Sequence, residues 1–192
     1  MPNPRVNRPE PYDPLNYRNL AASVVRALMA QPRVTLPPDP FEGVGVYAIY
    51  YDGAFAPYAS IRTSDKPVYV GSAVPAGKRK GGIELEECGR SLYARLTQHA
   101  KSISQARNLR LDDFKCRYLV VVPVWISLAE RFLIEHYRPI WNTVIDGFGN
   151  HDPGMGRRNM KRPRWDILHP GREWAERLRP AETADRIISE LG

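Results

Sequence analysis

A chain of 192 residues is long enough to bury a core and fits one domain with extensions. Its apolar share of 43% and charged share of 26% are those of an ordinary globular protein, which excludes global disorder. The formal charge of +7 points to a polyanionic partner without separating nucleic acid from an acidic membrane surface. The two cysteines, Cys88 and Cys116, fall in no cluster with zinc spacing, so one packed and one surface thiol in a reducing compartment are expected. No apolar segment follows Met1-Pro-Asn-Pro, and no stretch nears the ~20 apolar residues of a membrane span. The expectation is a cytoplasmic protein with neither leader nor span.

Residues 1–14 hold five prolines among polar residues and read as an irregular arm. Over 15–31, Leu20, Val24 and Leu28 fall at helical spacing, and the prolines from Pro32 to Pro40 end that helix in a stiff connection. Two short strands follow at 45–51 and 67–71, rich in β-branched and aromatic residues. Residues 75–90 read as a loop insertion with a basic tip. Ser91 is a candidate N-cap for a helix to about residue 107, with Leu92, Leu96, Ala100 and Ile103 as its buried stripe. Residues 114–122 form a third strand, apolar enough at its end to be central or covered on both faces. A second core helix opens at Ser127 and stops before Pro139. Past Asn142 the chain becomes loop-like and basic, with short helices near 172–179 and 182–191.

Several residues along this path could carry chemistry, and each has a plain alternative. Tyr47 in Gly45-Val-Tyr47 and Tyr69 in Tyr69-Val-Gly71 are, singly, ordinary strand tyrosines. Glycine within a strand hints at close approach by another backbone or a ligand. Arg95 and His99 stand one turn apart on a helix face, either as a solvated edge or as a pair fit for phosphate binding and proton transfer. Glu130 completes a capping box with Ser127, yet it also lies on the face of Leu133, Ile134 and Tyr137, where a carboxylate needs a partner or a metal. Asn142 follows a helix, the usual place of a turn residue.

In this order the five elements resemble the GIY-YIG nuclease family over roughly 41–145, with valine as the middle letter of both named motifs. The flanking stretches Gly43–Tyr51, Pro67–Gly77, Trp141–His151 and Trp165–Trp174 extend the similarity, over nearly the whole chain, to the type II restriction endonuclease branch. That resemblance implies an α+β fold: a small three-stranded, mostly antiparallel sheet flanked by helices, with DNA-binding loop insertions and terminal extensions. The organisation it suggests is an N-terminal arm and helix over 1–40, a nuclease core over 41–145 and a basic extension over 146–192.

It also implies phosphodiester hydrolysis in double-stranded DNA with one Mg²⁺, replaceable by Mn²⁺. Mg²⁺ is content with one or two carboxylates plus waters and phosphate oxygens, so Glu130 alone is an adequate protein ligand. Tyr47 is the candidate general base, with His99 as its helper, since a phenol near pKa ~10 is a poor base at neutral pH. Tyr69 is expected to orient water or a phosphate oxygen, and Arg95 to hold the scissile phosphate. Asn142 is expected to fix Glu130 or a tyrosine. Lys78, Arg79 and Lys80 on the insertion, with Arg157, Arg158, Lys161, Arg162 and Arg164 beyond the core, are expected to contact DNA.

The implied enzyme cuts a palindromic, GC-rich site of the CCGCGG kind as a homodimer and works beside a cognate DNA methyltransferase. Two other readings compete. Homing and repair nucleases of the family generally carry separate DNA-binding domains, for which 192 residues are expected to leave no room. A DNA-binding protein without catalysis would not need all six of Tyr47, Tyr69, Arg95, His99, Glu130 and Asn142.

Overall fold

The computed structural model describes residues 16–62, 64–74, 89–152 and 160–191. The N-terminal arm, most of the inserted loop, Cys88, Lys78, Arg79, Lys80, Arg157 and Arg158 lie outside them. The architecture is α+β. Strands β1 (Val34–Thr35), β2 (Gly45–Tyr51), β3 (Tyr69–Ala73) and β4 (Phe114–Val120) form one antiparallel sheet in the order β1-β4-β2-β3. The sheet thus has four strands rather than three. The extra one, β1, is two residues long, too short to leave a period-two signature in the sequence.

As expected, β4 is an interior strand, lying between β1 and β2, but the strand covered on both faces is β2: all seven of its residues are buried. On one face Tyr47, Ile49 and Tyr51 meet α2 (Ser91–Gln105) and an aromatic cluster of Trp141, Phe148 and Trp165. On the other, Val46, Ala48 and Tyr50 meet Leu28 of α1 (Tyr17–Met29) and Ile126, Ala129 and Leu133 of α3 (Ile126–Tyr137). In β4 only alternate residues at its start are buried, and Val120 is half exposed. The apolar stripe of α1 therefore packs on this chain's own core. Leu92, Leu96 and Ile103 are fully buried beneath α2, each contributing roughly 1.5–3 kcal/mol of hydrophobic stabilisation.

Neither serine cap forms. The first residue of α2 is Ser91 itself and α3 begins at Ile126, one residue before Ser127, with no side-chain cap on either helix. Four short helices complete the chain: α4 (Ile140–Thr143), α5 (Arg164–Leu168), α6 (Glu173–Glu176) and α7 (Ala184–Ser189). The first two occupy stretches expected to be loop. Each follows a proline, Pro139 and Pro163, whose fixed φ suits the entry of a helix. Trp165, Leu168 and Ile187 bring the C-terminal helices into the same core as Tyr47.

The free edge of β3 is closed by α4. Trp141 N donates to Val68 O at 3.0 Å, and the Asn142 amide accepts from Val70 N and donates to Val70 O, both at 2.8 Å. A side-chain amide here takes the place of a fifth strand and satisfies a backbone edge that would otherwise invite pairing.

Candidate active site

The two glycines of the strand motifs are packing requirements. A Cβ on Gly45 would lie 2.1 Å from Leu119 O, so β2 can approach β4 only without one. A Cβ on Gly71 would lie 2.3 Å from the Tyr47 hydroxyl oxygen, because Tyr47 and Gly71 are cross-strand partners and the phenol crosses the gap that the missing side chain leaves. That gap lets the Tyr47 hydroxyl reach His99 Nε2 at 2.5 Å.

Tyr47 and His99 are both sealed from solvent. Burial drives the Tyr47 phenol well above its ordinary pKa of 10.0, with Tyr69 adding to the shift and Arg95 opposing it. Burial, then the positive charge of Arg95, drives His99 well below 6.5. His99 is therefore held neutral, in hydrogen-bond contact with the Tyr47 hydroxyl through Nε2. Phe148 stacks on the imidazole, with ring centroids 4.5 Å apart and planes 19° from parallel. The pair is thus held in its neutral form, a phenol rather than a phenolate.

Tyr69 starts the neighbouring strand on the same face, half-buried, with its own phenol raised by burial. Its hydroxyl and Arg95 Nη2 meet over Gly149, where a Cβ would lie 2.9 Å from the first and 3.1 Å from the second. Arg95 Nη2 donates to Gly149 O at 3.0 Å, and Nη1 donates to Gln98 Oε1 at 2.9 Å and to His151 Nε2 at 2.6 Å.

Glu130 comes from the opposite layer. Without a capping box, its carboxylate turns to the end of β3 and accepts from Ser72 Oγ at 2.8 Å. The charge of Glu130 raises the pKa of both Tyr69 and Tyr47, so the carboxylate reaches the tyrosine side electrostatically around the β3 edge. Among the described residues no cluster of three or more His, Cys, Asp or Glu is present. One carboxylate beside open solvent fits Mg²⁺, which keeps several waters and uses substrate oxygens. It does not fit a zinc ion, which wants three or four protein ligands.

Asn142 holds neither Glu130 nor a tyrosine side chain. Its amide grips Val70, between Tyr69 and Gly71, and so fixes the strand that carries Tyr69 and Ser72. Two of the expected DNA contacts also have work within the fold. Arg162 donates to the carbonyls of Ala175, Glu176 and Leu178 at the end of α6. Arg164 donates to Val144 O and pairs with Glu182 and Glu190. Lys161, by contrast, is exposed.

The sequence reading missed Ser72, His151 and the buried Asp166–Arg172 pair. Arg172 is 1% exposed and bonds both Asp166 oxygens at 2.6 Å. Its remaining donors take the carbonyls of Gly147, Phe148 and Asn150. A single guanidinium thus straps down the loop that supplies Phe148 to His99 and Gly149 to Arg95. Charged residues are almost never fully buried unless paired, so an isolated Asp/Arg doublet in an aromatic stretch was the available signal.

The sequence matches the family model described as the Eco29kI GIY-YIG domain over residues 39–191. No curated protein matches the chain. Among the described residues no helix is long and apolar enough to cross a membrane.

Proposed function

Because the chain belongs to the Eco29kI GIY-YIG family of type II restriction endonucleases, with DNA as the substrate, we propose that it cuts both strands of DNA at a palindromic, GC-rich site. The observation that carries the catalytic part is the sealed Tyr47–His99 contact at 2.5 Å beside Arg95.

The scissile phosphate lies against Arg95 and Tyr69, at the mouth of the β3 edge. DNA binding opens Tyr47, sealed in the free protein, to the attacking water; as that water attacks phosphorus, the Tyr47 oxygen accepts one of its protons while the hydroxyl proton passes to His99 Nε2. The new O–P bond forms as the bond to the leaving oxygen breaks, and that oxygen takes its proton from solvent. The imidazolium that results is disfavoured by burial and by Arg95, and the growing negative charge on the phosphate offsets this. Arg95 stabilises the same charge, the kind of electrostatic contribution that usually dominates phosphoryl transfer. Glu130, oriented by Ser72, would hold Mg²⁺, which polarises phosphate oxygens and screens their charge. Mn²⁺ is an acceptable substitute at a site of oxygen donors.

The remaining parts of the reading follow from the substrate. Lys78, Arg79, Lys80, Arg157, Arg158 and Lys161 contact DNA, as phosphate clamps or as readers of guanine edges. A bacterial cytoplasmic setting with a partner methyltransferase protecting the host site fits a restriction enzyme. The test is digestion of phage DNA by the purified protein with Mg²⁺, followed by mapping of the ends. Fixed double-strand ends within one inverted repeat are expected, and random nicks or no cleavage would overturn the proposal.

A further inference from the structure

The outer nitrogen of Arg95 sits in a triangle of side chains whose hydrogen bonds do not close. Arg95 Nη1 faces Gln98 Oε1 at 2.9 Å and His151 Nε2 at 2.6 Å, and Gln98 Nε2 faces His151 Nδ1 at 3.0 Å. Arginine only donates, so His151 Nε2 must carry a lone pair, and the proton of the neutral ring sits on Nδ1. Nδ1–H then confronts the Gln98 NH₂, donor against donor. Turning the Gln98 amide moves the conflict to Arg95, moving the ring proton to Nε2 does the same, and a doubly protonated ring adds a second conflict. Every arrangement leaves at least one surplus donor.

A surplus of donors around a guanidinium is the complement of an anionic oxygen. Gln98 and His151 are both exposed, and Arg95 is partly so, so the triangle is open to a ligand. An open cleft lined by Ser72, Ala73, Ala94, Arg95 and Gln98 leads from it toward Glu130, the partner of Ser72. The loop bearing His151 is tied down as far as Asn150, whose carbonyl is held by Arg172. His151 is thus placed beside Arg95 by a fixed strap.

Resting on the assignment of Arg95 as the phosphate-holding residue, we propose that Gln98 and His151 complete a three-residue seat for one backbone phosphate of the DNA. An oxygen of that phosphate takes the Nδ1–H of His151 and the NH₂ of Gln98. The positive charges facing His151 are Arg95 of α2 and Arg172 beyond α5, with buried His99 behind Arg95 and Asp152 next along the chain. Partial burial first, then Arg95 and Arg172, push the imidazole below its ordinary pKa, so it acts as a hydrogen-bond donor and not as a counter-charge.

The experiment uses the full chain in metal-free buffer and duplexes carrying its mapped target. One duplex is native; others bear a single methylphosphonate, which lacks the anionic oxygen, at the scissile or a flanking position. His151→Ala is expected to bind the native duplex about 10-fold more weakly, as for one lost hydrogen bond. That loss should vanish at one methylphosphonate position, which tells the scissile phosphate from a neighbour. The salt dependence should stay unchanged, since a neutral donor releases no counterion. His151→Gln, which keeps an N–H donor, should recover part of the loss. A loss that persists at every position, or no loss at all, overturns the seat. Arg95→Ala run in parallel separates the two claims. If it couples to a position and His151→Ala does not, only the seat fails; if Arg95→Ala couples to none, the phosphate assignment fails and the seat with it.

Discussion

The Tyr47 hydroxyl reaches His99 Nε2 across the space left by Gly71, so three residues from β2, β3 and α2 build one buried contact, the relay of the proposed mechanism. Tyr47→Phe removes the oxygen and leaves His99 Nε2 buried without a donor, at a cost of ~1–3 kcal/mol in stability. Turnover is expected to fall by ~10²-fold or more, the scale of lost acid–base catalysis, with DNA binding retained. Single-turnover cleavage at saturating enzyme, alongside a thermal melt, checks this. A near-normal rate in the phenylalanine variant would end the relay.

Gly71→Ala attacks the same path without touching either titrating group. The new Cβ would stand 2.3 Å from the Tyr47 oxygen, on a ring that is fully buried and has nowhere to swing. Overpacking of this kind costs ~1–3 kcal/mol. The expected outcome is a folded protein of lower melting temperature whose cleavage rate resembles that of Tyr47→Phe. A stable, active Gly71→Ala protein would show that the crossing of Tyr47 over this glycine is dispensable.

The contact between Glu130 and Ser72 replaces the capping box that the sequence offered, and it bears on the metal. Glu130→Gln keeps the shape and the acceptor for Ser72 but removes the charge. Cleavage is expected to be abolished at all Mg²⁺ concentrations, while binding to the target in chelator stays within a few fold. Ser72→Ala, which only frees the carboxylate, should raise the Mg²⁺ concentration needed for half-maximal rate. Comparable cutting by Glu130→Gln would remove it as the ligand.

Strand and helix positions were legible because apolar periodicity and proline punctuation are local signals, and β2 runs over the expected 45–51. The site residues were legible as residue types in order. Their partners were not, since a partner is fixed by tertiary contact. Glu130 had an equally good local explanation in Ser127, and only the start of α3 at Ile126 rules it out. Asn142 looked like a turn residue because nothing local reveals that Val70 lies at a sheet edge. Arg162 and Arg164 read as DNA arms because a run of basic residues looks the same in sequence whether its donors meet carbonyls or phosphates.

Acid lability follows from two buried histidines. His169 accepts a contact from Tyr58 at 2.5 Å and is pushed by burial down to about 3, and His99 moves in the same direction. Above the unfolded value near ~6.5 both states are neutral and nothing changes with pH. Below it the unfolded chain binds protons that the folded chain refuses, so stability falls as pH drops from ~6.5 toward 3, by about 1.4 kcal/mol per pH unit for His169, with His99 acting in the same direction. Denaturant midpoints between pH 7 and 4 should show this slope, and His169→Gln should lessen it by one proton. A midpoint flat over that range would mean that the histidines are charged in the fold.

The number of sites per chain predicts the working unit. Among the described residues there is one Tyr47–His99 pair and one Glu130, and under the proposed mechanism one such set hydrolyses one strand at a time. A double-strand break at a fixed position needs a second set, most simply from a second copy related by the two-fold axis of an inverted repeat. Leu28 and Val24 of α1 pack on the core of their own chain, while Leu20 and Val24 also line an open apolar groove beside α3. Light scattering should report twice the chain mass on a palindromic duplex. Mixing gives the sharper result. When wild type is diluted into excess Glu130→Gln protein and allowed to exchange, supercoiled plasmid carrying one target should go to nicked circles, because each mixed pair has one working set. Linear product at the undiluted rate from that mixture would mean that a single chain cuts both strands, and the homodimer would be abandoned.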